Sequence, residues 1–278
     1  VPKSVLVLLF LTALPSFAAP VNPIFDEAFH SLYSFDFPRA QSIMDRYIGE
    51  QPNDPMGYTI KAATYVYAEF DRMGILETDF FQSDKSISDA RHKLKPDPAA
   101  HDAFYANIDK AQALAQATID KSPGDTPARF AMSLALGELS DYVALVEKRQ
   151  IASLSITKHA YRESKALLAL DGSYYDAYLT TGFTEYLVGS LPLVVRWFVK
   201  FDDVEGDKDK GFRTLDLVAT KGHYLKALAK ILLATGYLRE KRPLEARKLL
   251  GDLTAEYPAN PLLKREYQKL SAKIQKGS

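Results

Sequence analysis

Four stretches of this chain pair a small residue with a helix breaker twelve positions further on: Ala40 with Pro52, Ala111 with Pro123, Ala160 with Gly172 and Ala246 with Pro258. Within each stretch the apolar residues recur at helical spacing. A small side chain lets a second helix approach closely. A proline just past a helix end cannot continue the helix and starts a turn. The spacing therefore predicts helical hairpins stacked one upon the next. A stack of that kind offers extended binding surface rather than a catalytic cleft.

The rest of the chain agrees with helices throughout. Alternating β-branched runs closed by tight turns are absent. Phe25, Phe29, Leu32 and Tyr33 share one helix face. Asp36 is placed to cap the next helix, whose inner face carries Ala40, Ile43, Met44 and Tyr47. Further helices are expected over 55–73, 99–121, 127–145, 151–170, 174–188, 210–220, 224–240 and 243–257. An irregular insertion at about 74–98 interrupts the pattern with Ser83, Asp84, Ser86, Ser88 and Asp89, then a Lys-Pro-Asp-Pro break. A lysine-rich amphipathic helix over 261–276 reads as the cap that covers the last interface of a stack.

The first residues form a separate unit. Lys3, an apolar run over 5–14, then Ser16 and Ala18 at −3 and −1 of a cut after Ala18 are the parts of a secretory signal peptide spanning 1–18. The run is short for a membrane-spanning helix, which needs about 20 apolar residues. The expected organisation is thus a signal peptide, 1–18, and one helical-repeat domain, 21–278. The expected location is periplasmic or secreted. With no cysteine in the chain, disulfides, thiolate metal sites and an amino-terminal lipid anchor are excluded. Equal numbers of basic and acidic residues, 35 each, leave no global field to favour nucleic acid.

Two segments carry a recognisable repeat. Ala234, Ala246 and Pro258 stand at successive spacings of twelve, as do Ala28, Ala40 and Pro52, with Tyr237 and Phe37 at aromatic positions. They resemble the tetratricopeptide repeat (TPR), a 34-residue helix–turn–helix unit. The resemblance implies a TPR-like α-solenoid whose first helices line a concave, partner-binding groove. The middle departs from the pattern. The second-helix markers at 40, 111, 160, 211 and 246 lie 71, 49, 51 and 35 residues apart, and position 211 is a glycine. The stretch from Gly182 to Tyr186, continuing through Gly206–Gly211 to Tyr224, is similar to exported bacterial repeat proteins without an assigned activity.

No chemistry-bearing motif supports an enzyme, a cofactor or a metal. The five histidines are scattered and make no His-Glu-x-x-His, and no nucleophile elbow or phosphate loop is present. The acidic run 202–209 fails the EF-hand pattern and reads as a loop that caps the next helix. Two features point instead to binding. Tyr33, Tyr67, Tyr142 and Tyr186 fall near the ends of successive first helices, a row of amphipathic rings suited to a protein or peptide. The competing reading is that they pack between helices. Glu69, Glu138 and Arg239 are candidates for polar selectivity.

The second feature is the apolar segment 191–201, which holds Trp197 with Arg196 and Lys200 on one face. It reads as a buried helix, or else as a surface for an apolar ligand or a membrane interface. Two functions follow: an exported scaffold for a protein or peptide, acting in envelope assembly or transport, or a periplasmic module that binds a small apolar or lipid-like ligand for a transporter. Oligomeric state is not legible in the sequence.

Overall fold

The first five helices start with one device: an Asp or Asn cap with proline at the first or second helical position. The computed structural model describes residues 21–77, 95–191 and 204–277, and every regular element among these described residues is helical. Asn22 caps α1 (Pro23–Tyr33), Asp36 caps α2 (Phe37–Glu50) and Asp54 caps α3 (Pro55–Arg72). Asp97 and Asp125 do the same for α4 (Pro98–Lys121) and α5 (Thr126–Asp141). Each carboxylate or amide oxygen accepts a backbone N–H that the first turn cannot satisfy internally, and each such cap stabilises its helix by about 1 kcal/mol.

A π-helical turn, Tyr142–Val146, extends α5. It is followed by α6 (Gln150–Leu170), a 3-10 turn Tyr175–Ala177 and α7 (Tyr178–Ser190). Next come α8 (Lys208–Lys221), α9 (Lys226–Arg239), α10 (Pro243–Glu256) and α11 (Pro261–Gly277). Asp207 caps α8 through the N–H of Lys210, the role expected for the acidic run.

Packing follows the order of the chain. The hairpins are α1 with α2, α3 with α4, α5 with α6, α7 with α8 and α9 with α10; each second helix also packs on the next first helix, and α10 on α11. The small markers lie at the hairpin contacts. Ala40, Ala111, Ala160 and Ala246 are buried. Gly211 performs the same task in the fourth hairpin, where an added Cβ would fall 2.7 Å from the backbone nitrogen of Tyr186. An alanine does not fit an approach that close. The architecture is therefore the all-α stack of TPR-like helical hairpins, with a carboxy-terminal capping helix.

The two ends of the stack meet. Phe25 and Phe29 on α1 pack against the Tyr224 ring, and Tyr33 against Tyr257. The Tyr33 hydroxyl donates to the Tyr224 carbonyl at 3.0 Å, and Asn260 Nδ2 donates to the Tyr33 carbonyl at 2.8 Å. His223 Nε2 lies 2.6 Å from the Asp26 carboxylate. Buried Asp176 holds the turn that α1 rests on, accepting from the backbone N–H groups of His223, Tyr224 and Leu225. The capping helix thus does more than cover the last interface. Leu263 and Leu270 enter the same core as α1, and Arg265 reaches Glu77 beyond α3 at 3.1 Å. No helix among the described residues is long and apolar enough to cross a membrane.

Candidate functional site

The four tyrosines do not form an open row. Tyr33 is buried against Tyr257 and Phe29, with its hydroxyl bonded. Tyr142 is buried and stacks on Phe104 with ring centroids 4.2 Å apart. Tyr186 is buried edge-on to Phe212. These three rings fill contacts between helices, which corrects the expectation of a binding row in favour of the competing reading, packing between helices. For Tyr142 a physical reason is at hand: the π-helical turn shifts side-chain register, which a plain α-helical reading through 145 does not anticipate. Only Tyr67 of the four is half-exposed. Trp197 and Arg196 lie outside the described residues, as do residues 1–18, where a signal peptide is expected, and residues 78–94 of the insertion.

Three first helices carry a buried glutamate within their last two turns: Glu69 on α3 (2% exposed), Glu138 on α5 (7%) and Glu185 on α7 (2%). Two of them are braces. Glu69 accepts hydrogen bonds from Nε and Nη2 of Arg72, at 2.7 and 2.8 Å, and from the backbone N–H of Asp97 at 3.1 Å. Glu185 accepts the Gly206 N–H at 2.9 Å and the Lys210 ammonium at 2.9 Å. In both, the carboxylate on the first helix ties down the chain where it returns to the second helix. The charge is compensated, which is the condition for keeping a carboxylate buried. The partners respond in kind, and the hydrogen bond to Glu185 holds the Lys210 ammonium above the ordinary lysine range.

Glu138 has no such partners among the described residues. Its Oε2 is buried without a hydrogen bond. Burial, reinforced by the nearby Asp141 charge, pushes its carboxyl well above the usual carboxylate range. Asp141, one turn on and on the same face, is reached by solvent, yet burial around its carboxyl holds it up at about 7. Across from it on α3, the Tyr67 hydroxyl is raised by burial and then by the charges of Asp141 and Glu138. No lysine or arginine stands in the last turn of α5. Tyr67 and the two acids of α5 thus influence one another electrostatically from the first helices of the second and third hairpins, which pack on each other.

Of this trio, Tyr67 and Glu138 are legible in the sequence and Asp141 is not. A signal for it exists: two acids three apart at a carboxy-terminal turn, with no base nearby, break the local pattern of helix charges. Sequence reasoning also misses Glu185, because its partners arrive from 21 to 25 residues away. Arg239 sits half-buried at the end of α9. No group of three or more His, Cys, Asp or Glu side chains among the described residues could hold a metal ion.

No protein-family model and no curated protein sequence matches the chain. Among solved structures it is similar to a thermophilic TPR protein of Thermus thermophilus. The identity is 16%, over 85% of this chain and 91% of that one, with a TM-score of 0.45.

Proposed function

We propose that this chain is a binding scaffold that receives a segment of a protein or peptide partner on the face formed by its first helices. The observation that carries the reading is the packing order, in which each second helix rests on the next first helix and the hairpins form one continuous stack. Among the described residues Glu138 Oε2, on the first helix of the third hairpin, has no internal partner, while the comparable glutamates of the neighbouring hairpins are engaged. Buried polar groups are normally paired, and an unpaired one in a well-packed protein calls for a ligand or a mechanism. A stack of hairpins supplies long, rigid surface for such a partner.

A second reading, a module for a small ligand, has one observation in its favour. The Tyr33–Tyr224 and Asn260–Tyr33 hydrogen bonds join the two ends of the stack, which suits a small guest better than a long peptide. Export by way of residues 1–18 belongs to the same proposal, and with it a role in envelope assembly or transport.

Mild crosslinking of the tagged protein in intact cells tests the scaffold reading. A defined protein captured by the wild type and lost on Tyr67→Ala is the expected result. Native mass spectrometry that finds a small molecule retained, with no crosslinked protein, contradicts it in favour of the second reading. Intact-mass measurement tests export: a chain that begins at Ala19 is expected, and one that still begins at Val1 contradicts it.

A further inference from the structure

The seam where the two ends of the stack meet is built differently from the contacts inside it. None of the extensive helix–helix contacts among the described residues joins α1 to α8, α9, α10 or α11. Each hydrogen bond across the seam uses at least one side chain. The Asn22 N–H donates to the Tyr224 hydroxyl at 2.8 Å, beside the links made by Tyr33 and Asn260. Charge is divided here as well. Residues 21–77 hold nine acids and four bases, and residues 221–277 hold five acids and thirteen bases. Arg265 meets Glu77 over this divide at 3.1 Å.

Two of the five histidines stand at the seam, both exposed. His223, in the turn before α9, places Nε2 2.6 Å from the Asp26 carboxylate on α1. His30, in the last turn of α1, lies against the Tyr257 ring with centroids 5.5 Å apart. The charges around them come from several elements. Asp176 of the 3-10 turn accepts the His223 backbone N–H at 2.9 Å; burial raises its carboxyl, and its three N–H donors and then His223 act against that. Lys221 ends α8, lying over the Tyr175 ring, and Lys226 opens α9. On α1, Asp26 is one turn before His30, and Glu27 pairs with Arg39. Opposite His30, the Tyr257 hydroxyl donates to Glu256, which also holds Lys230.

We propose that His223 and His30 make the seam a proton-operated clasp, which fastens the ends of the stack more tightly in mild acid than at neutral pH. A neutral imidazole gives Asp26 an ordinary hydrogen bond. An imidazolium gives it a charge-assisted one, about twice as strong. At His30 the same charge adds cation–π attraction to Tyr257, and it suits a helix carboxy terminus one turn after Asp26. Imidazole changes charge between about pH 5 and 8, where the tyrosine, asparagine and arginine links across the seam keep theirs. Protonation favours the closed form, so the extra hold is complete below that range and is lost as pH rises through it. The contacts of Phe25 and Phe29 with Tyr224 hold the seam at every pH, so the clasp tunes closure and does not create it. The inference stands whichever guest the stack receives; a guest that parts the ends to enter meets a firmer seam in acid.

Amide exchange observed by NMR on the purified full chain tests the clasp. The reporter is the Asn22 N–H, which bonds across the seam. Its rate is corrected for intrinsic exchange and compared with amides of α6, which read global stability. From about pH 7.5 to about pH 5.5, Asn22 protection should rise about threefold relative to α6, the scale of an exposed ion pair. Salt at about 0.5 M should remove most of the rise. Asp26→Asn and His223→Gln keep hydrogen-bonding groups without the charge, and each should reduce the rise. His30→Gln with His223→Gln should abolish it. Protection that stays flat or falls in acid, a rise that salt leaves unchanged, or one that persists undiminished in the double variant would overturn the proposal. So would Asn22 and α6 losing protection together at every pH, since the seam would then open only by global unfolding.

Discussion

The second and fourth hairpins differ from the third in how they treat one residue type. Each carries a glutamate buried near the end of its first helix. In the second and fourth, that carboxylate accepts backbone N–H groups from the chain returning after a long excursion, and it holds a base. The third hairpin makes a short connection through a π-helical turn and has no returning loop to brace. Its glutamate keeps an unpaired oxygen and has a second acid beside it. Burial of charge is thus a fastening where partners are supplied. Where they are withheld, the carboxyl holds its proton more tightly instead.

The comparison can be broken most directly at the fastenings. Glu185→Ala removes the acceptor of the Gly206 N–H and the partner of Lys210. We expect a loss of about 3 kcal/mol, from charged hydrogen bonds and a donor left unsatisfied. Glu69→Ala should lose a similar amount. Urea unfolding measures both, and Glu138→Ala in the same series should cost clearly less. A Glu138→Ala loss as large as those two would make the third glutamate a brace as well.

Gly211→Ala probes the contact that Glu185 fastens. The new methyl group meets the Tyr186 backbone, and overpacking of this kind costs about 2 kcal/mol. Tyr33→Phe tests closure of the stack, since it removes the hydroxyl that donates to the Tyr224 carbonyl. We expect a loss of about 1 kcal/mol, with faster amide exchange at residues 222–225; unchanged exchange there would argue that the ends are not coupled.

The smallest expected effect is the most informative about the acids of the third hairpin. The folded protein holds the Asp141 carboxyl at about 7, above the ordinary 3.8. A carboxyl raised on folding binds its proton more tightly in the folded state, so it lowers stability progressively as pH climbs from about 4 through 7. Asp141→Asn should therefore match the wild type near pH 4 and melt higher above pH 7, by about 2 °C given the solvent that reaches the group. A variant that melts lower at pH 8 than the wild type would reverse the sign and place a favourable partner on Asp141.

Much of the fold was legible because local rules decide it. The Ala-to-Pro spacing, the capping aspartates and the apolar periodicity all act within one or two turns, and the helices begin and end within a few residues of where they predict. The capping aspartate at 207 was readable for the same reason. Closure of the stack was not, because Tyr33 meets Tyr224 and Asn260 across about 200 residues and no local pattern encodes that encounter. The candidate site was half legible. Tyr67 and Glu138 stand out as an aromatic and an acid on first helices. The fates of Tyr142 and Tyr186 depended on a π-helical turn and on a glycine contact that periodicity does not register.

One measurement addresses the claim that the third hairpin leaves its acids unpaired while its neighbours fasten theirs. The side-chain carboxyls of the aspartates and glutamates, labelled with carbon-13, are titrated by NMR. The account predicts a midpoint near 7 for Asp141 and one well above the usual carboxylate range for Glu138. Ordinary midpoints for both would contradict it.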